Sequence, residues 1–157
     1  MNYNIRRMKE NEYEELNNFL YEAIYVPKGA QAPEKSIIEE PELQVYVSDF
    51  GKKEDDICFV AETDGKIVGA VWVRVMNDYG HIEDGVPSFA ISLYKEYRGY
   101  GIGTALMKKM LHELKQRGYE KTSLSVQKEN YAVKMYEQVG FSIVDENEEE
   151  YIMVCKL

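Results

Sequence analysis

The chain is poor in cysteine, proline, histidine and tryptophan: its 157 residues hold two, four, two and one of them. Two cysteines do not make a disulfide framework, and neither Cys58 nor Cys155 has a partner at metal-ligand spacing, so no metal site is expected. Both lie in apolar runs of strand character and are expected to be reduced packing residues, as suits a reducing compartment. No apolar run approaches the roughly 18 residues that suggest a membrane-spanning helix, and no membrane partner is expected. The opening stretch from Met1 to Arg7 lacks the apolar core of a secretion signal, which makes the cytoplasm the expected location. Basic charge is also short. Nineteen Lys and Arg against 28 Asp and Glu leave a formal net charge of −9. That balance argues against nucleic acid as a partner, because a basic surface supplies most of such affinity. An acidic surface steers cationic molecules instead, although much of this charge is local. The run Asp145 to Glu150, five carboxylates around one asparagine, reads as the solvated tip of a hairpin.

What is present suits a packed domain. Hydrophobic residues make up 45% of the chain, an ordinary share for a globular protein, and the length fits one domain over residues 1–157. Residues 3–8 alternate as a strand. From Asn11 onward Tyr13, Leu16, Leu20, Ala23 and Ile24 recur at helical spacing, with Asn11 and Glu14 placed as a capping box and Pro27 and Gly29 as the stop. Residues 27–56 are punctuated by proline and glycine, with room for short helices at 36–40 and 42–49. A stretch of that length is expected to do more than connect. Two strands, 57–62 and 66–76, flank Asp64-Gly65, a strong hairpin signal. A polar loop at 77–86 leads to a strand at 87–93. A helix from the glycine-rich turn at 98–103 to Arg117 buries Leu106, Met107, Met110, Leu111 and Leu114 on one stripe. Residues 121–126 alternate as a strand, a short helix capped by Asn130 follows, and 141–144 and 151–156 close as an antiparallel pair. The unit from 87 to 126 should hold parallel strands joined by a right-handed crossover. The expected fold class is a mixed α/β domain, its sheet mostly antiparallel with one parallel pair.

The sharpest feature is Arg98-Gly99-Tyr100-Gly101-Ile102-Gly103-Thr104, between a strand and a helix. A helix start offers unpaired backbone N–H groups and the positive end of the helix dipole, and glycine lets that backbone close on an anion. Together they make a pyrophosphate cradle; the plain alternative is a tight turn that merely needs glycine. A Walker turn requires Gly-Lys-Ser/Thr, whereas Gly103 is followed by Thr104-Ala105. A dinucleotide fingerprint fails on register, with Thr104 or Leu106 where its last glycine should stand, and it belongs to the opening strand of its fold.

The spacing Arg-x-x-Gly-x-Gly fits another anion. Residues 87–104 resemble the coenzyme A motif of the GCN5-related N-acetyltransferase (GNAT) family. About thirty residues later, the stretch from Asn130 to Phe141 resembles that family's Asn-x-Ala-x-x-x-Tyr-x-x-x-Gly-Phe signature, through Asn130, Ala132, Tyr136, Gly140 and Phe141. The resemblance is good over 57–157, plausible for the first strand and helix, and silent on 27–56. It implies a GNAT-like acyl-CoA N-acyltransferase fold, a central mixed sheet flanked by helices, and acetyl-CoA as the acyl donor in direct attack by an amine. It further implies that Ile91 and Leu93 offer backbone hydrogen bonds to the pantetheine and thioester. Main-chain groups of Arg98, Gly99, Tyr100, Gly101, Ile102, Gly103 and Thr104 would hold the pyrophosphate, Arg98 adding charge. Asn130 would contact the coenzyme besides capping its helix.

The chemistry needs a neutral amine, a donor to the oxyanion and an acid for the departing thiolate. A strand N–H near Leu93 suits the second, and the resemblance makes Tyr136 the acid. The bland reading of Tyr136 is core packing, since it shares a stripe with Ala132 and Val139 in a chain of 13 tyrosines. Many relatives carry a glutamate base near the start of the strand that here reads Val86-Pro87-Ser88-Phe89. Glu83 and Asp84 are the nearest carboxylates, with Glu83 the candidate base, solvated loop acids the alternative, and His81 another option. His112 is expected on the surface. The acceptor, a small-molecule or peptide amine, would be chosen by 25–50 and 77–84, where Tyr46, Phe50, Trp72 and Tyr79 either line a pocket or pack the core. A homodimer is an expectation carried by the resemblance, and a non-catalytic acyl-CoA sensor is the alternative function.

Overall fold

The computed structural model describes residues 1–76, 82 and 84–157. Seven strands form one sheet: β1 (Asn4–Arg7), β2 (Ile57–Thr63), β3 (Lys66–Arg74), β4 (Ser88–Leu93), β5 (Lys121–Gln127), β6 (Phe141–Glu146) and β7 (Glu150–Lys156), in the spatial order β1-β2-β3-β4-β5-β7-β6. All neighbours are antiparallel except β4 and β5. The β2–β3 hairpin closes at Asp64 and Gly65, whose φ angles of 51° and 76° are the left-handed values that an Asp-Gly turn supplies. β2 and β3 are buried along most of their length because helices cover both faces, which is why they read as continuous apolar runs.

On one face lie α3 (Ile102–Gln116) and α4 (Ala132–Val139). Leu106, Met107, Met110 and Leu114 of α3 meet Phe59, Val71, Phe89, Leu124 and Met153 of the sheet. On the other face lie α1 (Leu16–Glu22) and a segment holding a 3-10 turn at Lys35–Glu39 and α2 (Pro41–Gln44). There Leu16, Phe19, Leu20, Val47 and Phe50 pack on Cys58, Val60, Ala70 and Trp72. Both cysteines are buried and free, as the sequence predicted. Among the described residues no helix is long and apolar enough to cross a membrane.

Two local expectations are corrected. The helix expected from Asn11 starts as a 3-10 turn over Glu10–Glu15 and becomes α-helical only at Leu16. Its start is capped by Glu12, which accepts from the Lys9 N–H at 2.8 Å, rather than by Asn11 and Glu14. The reason is Arg6, whose Nη1 and Nη2 each donate to Glu12 at 2.9 Å and hold that carboxylate in place. In 27–56 the short helices are reduced to the 3-10 turn and α2.

Candidate functional site

The parallel pair is short. β4 and β5 are in register only at Ser88 and Ser123, where the Pro87 carbonyl accepts from the Ser123 N–H at 3.1 Å and from the Thr122 hydroxyl at 2.8 Å. From Phe89 onward the two strands have no paired residues, so their facing N–H and C=O groups are available to a third, extended partner.

The open edge leads to the turn before α3. Gly99 and Gly101 have φ angles of 85° and 82°, a conformation that a side chain disfavours, although a Cβ at either would touch nothing. Ala105 closes the first intrahelical hydrogen bond, to the Gly101 carbonyl at 3.1 Å. The N–H groups of Ile102, Gly103 and Thr104 are therefore unpaired within the helix and project from its positive end. Gly103 has a packing reason as well, since a Cβ there would stand 3.4 Å from both the Leu93 Cδ1 and the Met135 Sδ.

A cleft of about 640 Å³ runs from this turn along the open edge. It brings together Ile91, Leu93, Arg98, Gly99, Gly101, Gly103, Thr104, Asn130 and Tyr136 of the residues singled out from the sequence. Tyr100 and Ile102 fall outside its lining: the Tyr100 side chain is 56% exposed and that of Ile102 is buried in the core. Ile102 can take part only through its main chain. The Arg98 Nε donates to the Leu93 carbonyl at 3.1 Å, and its Nη2 reaches the Glu22 carbonyl at 3.5 Å. The Asn130 Oδ1 accepts from the Ala132 N–H at 2.9 Å, so Asn130 satisfies the first amide of α4 from one residue ahead of its N-cap, Tyr131, rather than as the N-cap itself. Tyr136 is buried on α4, its ring edge-on to Phe141 at 6.1 Å. Burial and then the nearby Tyr131 push its phenol up to about 12, so it keeps its proton at neutral pH.

Glu83, His81 and Tyr79, with the rest of 77–81, lie outside the described residues. Asp84 is described and is exposed, as is His112. Among the described residues no cluster of His, Cys, Asp and Glu could hold a metal ion.

A second cleft, of about 270 Å³, adjoins the first and shares Ala23, Ile24, Tyr25, Ile91, Asn130 and Tyr136 with it. Tyr46 lines it, as one expected alternative had it, whereas Trp72 is fully buried and packs in the core behind it. The Trp72 Nε1 donates to the Tyr46 carbonyl at 3.1 Å, which ties residue 46 to β3. Phe50 takes the other alternative and packs in the core, edge-on to Tyr13 at 5.2 Å.

Two contributions escaped the sequence reading. Residues 21–24, at the end of the first helix, wall the first cleft together with Tyr25, Val26, Ala32 and Pro33 of the expected segment. They are held by the Tyr25 hydroxyl donating to the Glu129 carbonyl at 3.3 Å and by the Tyr21 hydroxyl donating to the Pro33 carbonyl at 2.5 Å. Glu150, absorbed into the acidic hairpin tip, lines the second cleft. The period-two pattern Glu150, Ile152, Val154 was the available signal.

The Acetyltransferase (GNAT) family matches residues 17–141, and the chain belongs to that family. It is similar to a mycothiol acetyltransferase of Thermobifida fusca, 32% identical over 83 residues that make up 50% of this chain and 26% of that protein. An acetyltransferase of Pectobacterium atrosepticum is 36% identical over 92 residues, 57% of this chain and 60% of that one. The matches thus span between about a quarter and three fifths of those relatives' own length. The solved structure of the PaiA N-acetyltransferase of Thermoplasma acidophilum, in complex with coenzyme A, shares the fold over 100% of both chains, with a TM-score of 0.73 and 21% identity.

Proposed function

We propose that the protein transfers an acetyl group from acetyl-CoA to the amine of a small molecule or peptide, the two bound together. One observation carries this reading: the open β4–β5 edge runs into the unpaired N–H groups of α3, and Tyr136 lines both clefts where they meet. The arrangement suits a long donor with an anionic end. Main-chain N–H groups from Gly99 to Thr104 face its pyrophosphate, that of Arg98 being taken by the Lys95 carbonyl at 3.2 Å, and the edges of Ile91 and Leu93 face its amide-bearing arm. Membership of the family and the coenzyme A bound to the Thermoplasma protein support the same donor.

When bound, acetyl-CoA supplies an activated thioester. Tyr136 then holds a proton on its hydroxyl, which has no protein hydrogen-bond partner among the described residues, and gives it to the departing sulfur. Glu83, five residues before the start of β4 in the sequence, is the carboxylate proposed to take the proton of the amine. An acidic surface with net charge −9 favours the approach of cationic amines. A thiol-release assay with acetyl-CoA across a panel of amines tests the reading. Release that depends on the amine supports it; coenzyme binding without release to any amine would make the protein a sensor instead.

A further inference from the structure

The second cleft has a distinct chemistry. Its walls are mostly apolar and aromatic, with Leu20, Ile24, Leu43 and Tyr46 among them. Among the described residues that line it, Glu150 is the one that carries a full charge, and no lysine, arginine or histidine balances it there. Glu150 sits at the head of β7, opposite Gln127 of β5. Cross-strand partners share a face, so the carboxylate stands on the side of the sheet covered by α1.

The carboxylate is held in place yet left partly unused. The Glu150 N–H donates to the Asn147 Oδ1 at 2.7 Å, and its carbonyl accepts from the Asn147 N–H at 3.0 Å, which pins the start of the strand. One carboxylate oxygen takes a long hydrogen bond of 3.4 Å from the Gln127 Nε2. The other oxygen has no protein donor, and the group has no salt bridge, among the described residues. Burial first, and Glu149 second, raise its pKa, which marks a carboxylate whose bare anion is costly and which a bound cation would relieve.

We infer that the second cleft selects a primary amine carried on a compact apolar or aromatic body, with Glu150 accepting hydrogen bonds from its ammonium group. This rests on the acetyl-transfer reading for the identity of the acceptor side, though not for the binding itself. An acceptor with a carboxylate beside its amine is disfavoured, because a second anion would enter a cleft that already holds one. The volume of about 270 Å³ falls just below the usual span of ligand sites, roughly 300–1,000 Å³. One ring system fits it better than an extended chain.

Tryptamine and tryptophan make the test, since they differ by the carboxylate alone. Their binding is titrated calorimetrically to the whole protein, with and without coenzyme A, for the wild type and for Glu150→Gln. The amide keeps the size and hydrogen-bonding capacity of the side chain, and circular dichroism checks the fold. The wild type is expected to bind tryptamine about ten-fold or more tightly than tryptophan, because the extra carboxylate of tryptophan would meet the like charge of Glu150. Glu150→Gln is expected to lose about ten-fold on tryptamine and to narrow the discrimination to about two-fold. Equal binding of the two compounds by the wild type, or an unchanged tryptamine affinity in Glu150→Gln, overturns the assignment. The arm without coenzyme separates the two readings: a protein that binds tryptamine through Glu150 but never binds acetyl-CoA keeps this inference and loses acetyl transfer.

Discussion

The guanidinium of Arg98 donates to the carbonyl of Leu93 at 3.1 Å, tying the last residue of β4 to the turn that opens α3. A second, longer contact to the Glu22 carbonyl brings the end of α1 to the same point. Arg98 thus braces the cleft mouth, and its charge stands beside the glycine turn at the same time.

Arg98→Ala removes the brace and the charge together. Its acetyl-CoA dissociation constant is expected to rise about ten-fold, the scale of a charge-assisted hydrogen bond. Arg98→Lys should recover part of that loss by restoring charge without the fork that reaches both carbonyls. Calorimetry on the three proteins, with melting temperatures measured alongside, checks this.

Tyr136→Phe leaves the ring against Phe141 and removes only the hydroxyl. Turnover is expected to fall about a hundred-fold, as for the loss of a general acid, while coenzyme affinity stays within about two-fold. The pH dependence has a definite sign. The Tyr136 phenol, raised from 10.0 to about 12, remains protonated across the neutral range, so it produces no alkaline loss of rate below about pH 10. Because the raised pKa belongs to the folded state, its contribution to stability is full below the unfolded value of 10.0 and is lost as pH rises toward 12. Rate profiles and melts of the wild type and Tyr136→Phe over that range separate the two effects.

Behind the second cleft, Arg74 and Asp56 form a buried two-point pair at 3.1 and 3.0 Å. Arg74 also donates to the carbonyls of Val45 and Ser48, and Asp56 accepts from the Gly51 N–H, so the pair fastens 45–56 to β3. Asp56→Asn leaves a buried arginine without its counter-charge and is expected to cost about 3 kcal/mol. Adding Arg74→Met to that variant should restore part of the stability, because no charge is then left unpaired. Denaturant unfolding of the single and double variants measures the coupling.

The acid limb of stability should depend on Glu12. Hydrogen bonds from Arg6 hold its carboxyl down from 4.5 to about 2. A lowered folded-state pKa stabilises the protein above 4.5, and that contribution drains away as pH falls toward 2. Glu12→Gln should therefore differ from the wild type at neutral pH, with the difference shrinking across that window. Melting temperatures from about pH 7 down to pH 2.5 test it.

Local signals in the sequence carried the fold well where the backbone itself is constrained. Asp64-Gly65, Gly99, Gly101 and Gly140 all adopt the positive φ that their residue types allow, and the Arg98–Thr104 turn opens α3 where its glycines predicted. Asn130 bonds the first amide of α4 from one residue ahead of the cap position expected for it. What was not legible depends on distant partners. Glu12 caps the first turn because Arg6, on a strand, grips it. Glu150 is half-buried because it stands across from Gln127 with the α1 side above it, and neither fact shows in a run of five acids. Residues 21–24 wall the cleft beside Tyr25, whose contact with Glu129 spans more than a hundred positions of sequence. Register and cover decide such roles, and a linear pattern records neither.

The central claim is that the open edge and the α3 turn form a site for acetyl-CoA. Calorimetric titration of the purified protein with acetyl-CoA, run beside ATP and NAD, tests it most directly. Saturable binding of acetyl-CoA with no comparable heat from ATP or NAD is the predicted result. No binding of acetyl-CoA, or equal binding of the three, would contradict the account.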